Sequence, residues 1–262
     1  GRGGDNLTDP FIGLSLIPVA SGVFRDMTSI RFNHPTWDPA KCTACGACWT
    51  VCPDSAIPGL VNSISDVFET AIKRVEATGE KPKYLRRSVR TTETKLRALL
   101  DEAGEKSDVS TLLVAAIKQT LAESALADAE RADMEKEFQL FYDQLKDFKF
   151  GVSRPYYLSK EQEAKGSGGL LSITIDPYTC KGCMECVRVC DDNALIPIVQ
   201  TAETVATLRK NWGLWLDLPN TKPEYVRIDS LEEGIGALET LLLDKEAYKS
   251  MVGGDGACVG CG

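Results

Sequence analysis

Eight of the ten cysteines lie in two short runs that share one internal spacing. Both runs read C-x2-C-x2-C-x3-C, and both are long enough to hold four thiolates close together. Thiolate sulfur is a soft ligand for iron, and this spacing is typical of chains that bind cubane [4Fe-4S] clusters. We therefore predict iron-sulfur chemistry. The first run contains Cys42, Cys45, Cys48 and Cys52, and the second contains Cys180, Cys183, Cys186 and Cys190.

The similarity between the two runs extends beyond the cysteines. Asp38-Pro39 precede the first run as Asp176-Pro177 precede the second, and each matched pair is 138 positions apart. Four further positions keep the same register: Val51, Asp54, Ala56 and Ile57 recur as Val189, Asp192, Ala194 and Leu195. A repeat in constant register predicts one structural unit that is used twice.

The spacing resembles that of bacterial two-cluster ferredoxins, in which the fourth cysteine of each run binds the other cluster. That rule assigns Cys190 to the first run and Cys52 to the second. The predicted ligands of cluster 1 are Cys42, Cys45, Cys48 and Cys190, and those of cluster 2 are Cys180, Cys183, Cys186 and Cys52.

Other uses of these residues fit the spacing less well. Disulfide frameworks belong to small secreted domains, whereas these cysteines are concentrated in two short runs. A zinc ribbon needs two separated Cys-x-x-Cys pairs, and four crowded cysteines suit a cube better than one tetrahedral ion. His34 is the only histidine, so a Rieske centre with two histidines is excluded. Because His34 is next to Pro35, we interpret it as a turn or surface residue.

The composition narrows the class of protein. The 262 residues include 38 acidic and 30 basic side chains, a formal charge of −8, without the long basic run that follows a nucleic acid backbone. No apolar run approaches the roughly 20 residues that cross a bilayer, and the N-terminus lacks the features of a signal peptide. We expect a cytoplasmic protein that binds neither nucleic acid nor membrane. Both ends look cut, so we expect a segment of a longer chain.

We predict an α+β fold in which a ferredoxin-like domain is interrupted by a large helical insertion and followed by a mixed tail. The predicted parts are an N-terminal arm at 1–34, the first ferredoxin-like half at 35–61, the insertion at 62–165, the second half at 166–200 and the tail at 201–262.

Apolar periodicity predicts helices inside the insertion. One begins near Ile64 and ends at Gly79, a second covers 85–103, and a third starts after Asp108 and continues toward Leu145 as one long helix or two. The insertion contains no cysteine, histidine or glycine-rich phosphate loop. We therefore favour a helical packing module over a separate active site.

Short strands are predicted around the cysteine runs. A short strand should end the arm, and the strand at 170–175 should pair with a returning strand at 195–199. We interpret 165–169, KGSGG, as a flexible joint. In the tail, helices are predicted at 202–212 and at 231–251, the second opening with Ser230 and Glu233 in capping-box spacing.

The last ten residues, GGDGACVGCG, add Cys258 and Cys261. Two cysteine runs, a spacer and then this motif resemble the order in pyruvate:ferredoxin oxidoreductase and the related thiamine-diphosphate-dependent 2-oxoacid:acceptor oxidoreductases. The resemblance covers about 35–61 and 170–262. The insertion is much longer than the usual spacer of that family.

The resemblance implies that the chain is the electron-transfer segment of such an enzyme, with pyruvate as the expected 2-oxoacid and coenzyme A as the acyl acceptor. Residues 201–262 would be the linker and the start of the thiamine-diphosphate domain, and Cys258 and Cys261 would supply part of a third [4Fe-4S] cluster. Thiamine diphosphate and Mg2+ would lie in the remainder of the enzyme. The expected partners are a ferredoxin or flavodoxin-type acceptor, the remaining domains or subunits, and further copies in a homo-oligomer.

A second interpretation stays open at this point. The chain could be a stand-alone polyferredoxin-type subunit that carries electrons for another redox enzyme. The tail separates the two hypotheses, because a simple electron shuttle has no use for Cys258 and Cys261.

Overall fold

The computed structural model describes residues 26–105, 107–226 and 236–251, with side chains as far as 248. Within these ranges, strands and helices are both present, in agreement with an α+β fold. The strands are β1 (Asn33–Trp37), β2 (Gly59–Ser63), β3 (Gly169–Ile173) and β4 (Leu195–Val199). The helices are α1 (Ala47–Val51), α2 (Ile64–Ala77), α3 (Lys83–Ala103), α4 (Val109–Ala122), α5 (Asp128–Leu145), α6 (Ser159–Glu163), α7 (Glu185–Arg188), α8 (Ala202–Asp217), α9 (Ala237–Leu241) and α10 (Lys245–Met251).

The strands form two antiparallel pairs, β1 with β4 and β2 with β3. The predicted pairing of the strand at 170–175 with the one at 195–199 is therefore wrong. Each strand that enters a cysteine loop pairs instead with the strand that leaves the other loop. Local pairing would close each loop on itself, whereas the exchanged pairing brings the fourth cysteine of one run toward the first three of the other.

The insertion contains the helices that its periodicity predicts. Helix α2 begins after Ser63, whose hydroxyl accepts a hydrogen bond from the Asp66 amide at 3.2 Å. Helix α4 begins after Asp108, whose carboxylate accepts from the Ser110 amide at 3.0 Å. The chain leaves the helical conformation between α4 and α5, so the last part of the insertion is two helices and not one.

The helices of the insertion bury a large apolar core that we call the helical core. Strand residues Leu60 and Leu170 belong to it, as do Trp212 and Trp215 of α8, whose rings stack at 4.7 Å between centroids. The fully buried members contributed by α2 to α5 are Ile64, Ala71, Ile72, Leu85, Leu100, Ala116 and Phe141. Since strands and helices share this core, the insertion is packed against strands β2 and β3, which flank the cysteine runs.

The glycine-rich segment predicted as a flexible joint is held by hydrogen bonds. The Glu161 carboxylate accepts from the amides of Gly166 and Gly168 at 2.6 and 2.9 Å. The Tyr225 hydroxyl donates to the Ser167 carbonyl at 3.0 Å. A β-carbon on Gly169 would lie 2.6 Å from Val61, so glycine here permits close packing. Composition alone predicted a linker, but tertiary partners fix its backbone.

The tail differs from its prediction in two ways. Helix α8 extends to Asp217, five residues beyond the predicted end. The single helix predicted at 231–251 is wrong for its described part, which forms α9 and α10 with a break between them. After the break, the Lys245 ammonium donates to the carbonyls of Trp215 and Leu216 at 2.7 and 3.1 Å. This contact satisfies carbonyls at the C-terminal end of α8, which have no partner within the helix. Helix α10 starts anew after Asp244, whose carboxylate accepts from the Glu246 amide at 2.9 Å. The predicted capping box lies outside the described residues.

A second apolar core surrounds the cysteine runs and is called the cysteine-side core. It is built from both strand pairs and both cysteine loops, and its buried members include Trp37, Trp49, Ile57, Val61, Leu171, Ile173, Ile175 and Leu195. None of the helices in the described ranges is both long and apolar enough to span a membrane.

Candidate iron-sulfur centres

The two cysteine loops have the same unusual backbone at matched positions. Three pairs of residues, each pair 138 positions apart, have positive φ angles. Left-handed backbone costs a non-glycine residue on the order of 1–3 kcal/mol, so its recurrence points to a turn required by the loop. The pairs are Ala44 and Gly182 (66° and 73°), Gly46 and Met184 (81° and 62°), and Ser55 and Asn193 (47° and 51°).

Each loop then enters a short helix at the third cysteine. Cys48 lies in α1 and Cys186 in α7, and both are buried. The second cysteines, Cys45 and Cys183, are both exposed. The repeat predicted from the sequence is therefore also a repeat of backbone geometry and of the burial of the second and third cysteines.

The first cavity is lined by cysteines from both runs. Cys42, Cys45 and Cys48 come from the first run and Cys190 from the second. The cavity has about 330 Å³ of unfilled space, part of it open to solvent, and Trp37, Trp49, Ile173 and Leu195 complete its apolar wall. These four cysteines are the predicted ligands of cluster 1.

The second cavity has the reciprocal composition. Cys180, Cys183 and Cys186 of the second run meet Cys52 of the first around about 360 Å³ of unfilled space, also partly open to solvent. Its apolar wall contains Pro35, Ala56, Ile57 and Ile175. These four cysteines are the predicted ligands of cluster 2.

Backbone amides point at the sulfur atoms in a pattern that follows the repeat. The Ala56 amide donates to Cys52 Sγ at 3.2 Å, and the matched Ala194 amide donates to Cys190 Sγ at 3.2 Å. The Ala44 amide also donates to Cys42 Sγ, at 3.4 Å. Amide donors stabilise negative sulfur, so the loops are suited to hold thiolates.

Burial opposes the thiolate form when no metal is bound. It raises the pKa of Cys52 to about 11 and that of Cys186 to about 12, in both cases chiefly through desolvation of the charged form. Desolvation also raises the pKa of Cys42, Cys48 and Cys180. Positive iron would offset this cost, because metal binding and thiol deprotonation are coupled.

The donor set fits a cube. All eight cysteines of the described ranges are free thiols, and four surround each cavity. Within the same ranges, no group of three or more His, Cys, Asp or Glu side chains could hold a single metal ion. A cube distributes its four thiolates over four irons, so it does not require three thiolates on one ion.

Charged residues around the two cavities were not predicted from the sequence. Lys181 lies 3.1 Å from the Asp54 carboxylate, and at the matched positions the Thr43 hydroxyl donates to Asp192 at 2.6 Å. Arg31 is only 4% exposed and donates to the carbonyls of Pro177 and Cys180 at 2.6 and 2.7 Å. The repeat register alone pairs Lys181 with Thr43, but no sequence signal places Arg31 beside Cys180.

His34 is buried on β1, and its interpretation as a turn or surface residue is wrong. Its side chain is 2% exposed, and Nδ1 lies 3.0 Å from the Pro35 carbonyl. Burial lowers the pKa of His34 because it disfavours the charged imidazolium. Strand β1 pairs with β4, which places His34 opposite Ile198, so the residue lies in a covered strand and not in a turn. Cys258 and Cys261 lie outside the described residues.

Comparison with known proteins agrees with the chemistry of the first loop. Residues 35–57 match a family model described as a 4Fe-4S binding domain, and this segment contains all four cysteines of the first run. Searches of curated proteins and of solved structures found no match. The family match and the grouped cysteines indicate [4Fe-4S] binding, and with it iron-sulfur electron transfer as the class of function.

Proposed function

We propose that this chain is the electron-transfer segment of a thiamine-diphosphate-dependent 2-oxoacid:ferredoxin oxidoreductase, with pyruvate as the expected substrate. It would carry electrons through two [4Fe-4S] clusters toward a ferredoxin or flavodoxin-type acceptor. The observation that carries the electron-transfer part is the convergence of three cysteines from one run and one from the other around each of two cavities. The choice of enzyme family depends on the tail motif GDGACVGCG.

In this proposal Cys42, Cys45, Cys48 and Cys190 bind cluster 1, and Cys180, Cys183, Cys186 and Cys52 bind cluster 2. Each cube, when bound, accepts and donates one electron at a time. The protein supplies the ligands and the environment of each cube. Apolar side chains such as Ile57 and Leu195 restrict water around the cysteines, and the amides of Ala56 and Ala194 stabilise charge on the sulfurs.

The proposal extends to residues that the structure does not describe. Cys258 and Cys261 would bind part of a third cluster, and thiamine diphosphate with Mg2+ would lie in the remaining domains or subunits of a homo-oligomeric enzyme. The cofactor would supply the carbanion chemistry of decarboxylation. The chain described here contributes the path for electrons.

The cluster content is tested on the chain purified without oxygen. We expect about eight irons and eight sulfides per chain, broad visible absorption, and electron paramagnetic resonance of two interacting cubes after reduction. Stoichiometric zinc without visible absorption, or a single isolated cube, would contradict the proposal.

The family assignment needs the full polypeptide. With pyruvate, coenzyme A and no external acceptor, the clusters of the complete enzyme should become reduced. Cys258→Ala should prevent this reduction by pyruvate, while both ferredoxin-type signals still appear after chemical reduction. If Cys258→Ala left cluster reduction by pyruvate unchanged, the tail assignment would be wrong. Two cubes without any 2-oxoacid activity in the full protein would favour the polyferredoxin-type subunit.

A further inference from the structure

The repeat makes it possible to compare the charges around the two cavities position by position. Asp38 and Asp176 are matched, and so are Asp54 and Asp192. Both halves therefore contribute acidic groups at the same two places. Asp38 and Asp176 differ in exposure, since Asp176 is 4% exposed whereas the side chain of Asp38 is 41% exposed and is screened by water.

The partners of the second aspartate pair do differ. Lys181 lies 3.1 Å from Asp54, whose side chain is 3% exposed, so a cation and a buried carboxylate offset each other beside the second cavity. At the matched positions, Thr43 donates a neutral hydrogen bond to Asp192. The carboxylate beside the first cavity thus has a hydroxyl partner where its counterpart has an ammonium.

Arg31 adds a second difference. Its guanidinium is bound to the carbonyls of Pro177 and Cys180, and its Nη2 is buried without a hydrogen-bond partner. Its position in the repeat corresponds to Gly169, which has no side chain. Arginine stays protonated in proteins, so a buried positive charge borders the loop of the second cavity without a counterpart at the first.

The other charged groups nearby do not reverse this difference. Glu185 at the second cavity is paired with Arg188, and Lys41 near the first lies 3.7 Å from Asp38. Lys149 donates to the Trp37 carbonyl beside the first cavity at 2.8 Å, but its side chain is exposed and therefore screened by water.

Asp176 is a buried negative charge beside the second loop, but its carboxylate accepts hydrogen bonds from the Tyr178 and Thr179 amides and from the Tyr248 hydroxyl. Arg31 is bonded to the Cys180 carbonyl itself and keeps one guanidinium nitrogen without a hydrogen-bond partner, so the second loop retains a buried cation with no counterpart at the first.

We infer that cluster 2 has the higher reduction potential, so that the first electron taken up by the pair resides on cluster 2, and that Arg31 and Lys181 set this order. The inference rests on the proposed binding of two cubes. Reduction adds one negative charge to a cube, and a nearby buried cation stabilises that charge. The two residues act as tuning groups and do not bind iron.

The test is a redox titration of the chain with both clusters, followed by electron paramagnetic resonance, with Cys45→Ser used to mark the signal of cluster 1. Arg31→Met should lower the potential of cluster 2 by about 59 mV or more, a tenfold change in its reduced-to-oxidised ratio for one electron. Arg31→Lys should restore most of the shift because it keeps the charge. Lys181→Thr should shift the same signal in the same direction.

The repeat also allows the reciprocal substitution at the first cavity. Thr43→Lys places at the first cavity the cation found at the second, so it should raise the potential of cluster 1 and leave cluster 2 unchanged. The inference is overturned if cluster 1 is reduced first in the unmodified chain, if Arg31→Met and Arg31→Lys shift the potential equally, or if both clusters shift together. If Arg31→Met fails to assemble clusters, the other two variants test the inference. Lys181→Thr should lower the potential of cluster 2, and Thr43→Lys should raise the potential of cluster 1. Absence of any cubane signal contradicts the proposed function instead.

Discussion

The backbone amide of Asp38 donates to the carbonyl of Ala194 at 2.7 Å, and this bond joins the entrance of one cysteine loop to the exit of the other. Its counterpart, with the halves exchanged, runs from the Asp176 amide to the Ala56 carbonyl at 2.8 Å. Each bond continues the register of a strand pair toward a cavity. The two bonds therefore tie both halves to both candidate clusters, and the halves cannot separate without breaking the two sites.

Paired cysteine variants test the exchanged ligand sets. Cys45→Ala with Cys190→Ala removes two thiols from the first cavity only, so about half of the iron should remain, with one cubane signal. Cys45→Ala with Cys52→Ala removes one thiol from each cavity and should damage both clusters. Iron analysis and electron paramagnetic resonance compare the two proteins. The reverse result would show that each run binds its own cube.

The Glu161 carboxylate is expected to stabilise the junction of the insertion with the second half. It is paired with Arg97, both side chains are nearly buried, and it also holds two glycine amides. Glu161→Ala leaves Arg97 with Glu93, at 3.2 Å, as its remaining carboxylate partner and removes the acceptor of the two glycine amides. We expect a loss of about 1–3 kcal/mol in the free energy of unfolding.

The matched control for that change is Glu135→Ala. Glu135 also faces an arginine, Arg131 at 3.6 Å, but both side chains are solvent-exposed. Its removal should cost at most about 0.5 kcal/mol. Denaturant unfolding followed by circular dichroism measures both variants, and equal midpoints would show that the Glu161 contacts contribute no stability.

Two glycines should respond in opposite directions to alanine. A β-carbon on Gly169 would lie 2.6 and 2.7 Å from Val61 and Tyr225, so Gly169→Ala should destabilise the fold by roughly 1–3 kcal/mol. Gly213 lies inside α8 with only Arg74 near, at 4.0 Å, so Gly213→Ala should stabilise it by roughly 0.5–1 kcal/mol. Thermal unfolding compares both with the parent chain. Stabilisation by Gly169→Ala would contradict the close packing described here.

The helical core should be needed for the stability of the whole chain. Phe141 is fully buried, with its ring 5.1 Å from that of Phe68, and Phe141→Ala should cost about 3–5 kcal/mol. Phe32 is 87% exposed, and Phe32→Ala should change stability by no more than about 0.5 kcal/mol. Because strands β2 and β3 share the helical core, the visible absorption should be lost together with the helical signal on heating Phe141→Ala. Loss of the helical signal alone would indicate that the insertion unfolds independently.

The sequence alone predicted iron-sulfur chemistry for the cysteine runs, which the family match supports for the first run, and most of the helices of the insertion. Spacing and register are local properties, so two runs 138 positions apart were enough to predict a repeated loop and its residue types. Helices α2 and α3 were predicted within two residues of their observed ends, because their apolar periodicity and flanking glycines are also local.

Tertiary structure decided which strands pair and what surrounds the cysteines. The pairing of β4 with β1 joins residues that are far apart in the sequence. The apolar pattern of a strand does not indicate which distant strand it pairs with. The burial of His34 and Arg31, and the ordering of the KGSGG segment by Glu161, also depend on elements brought together only by folding. Local sequence patterns specify the conformation of a residue, whereas the charged groups around it are brought there by long-range packing. The difference in charge between the surroundings of the two candidate clusters could therefore be seen only in the folded chain.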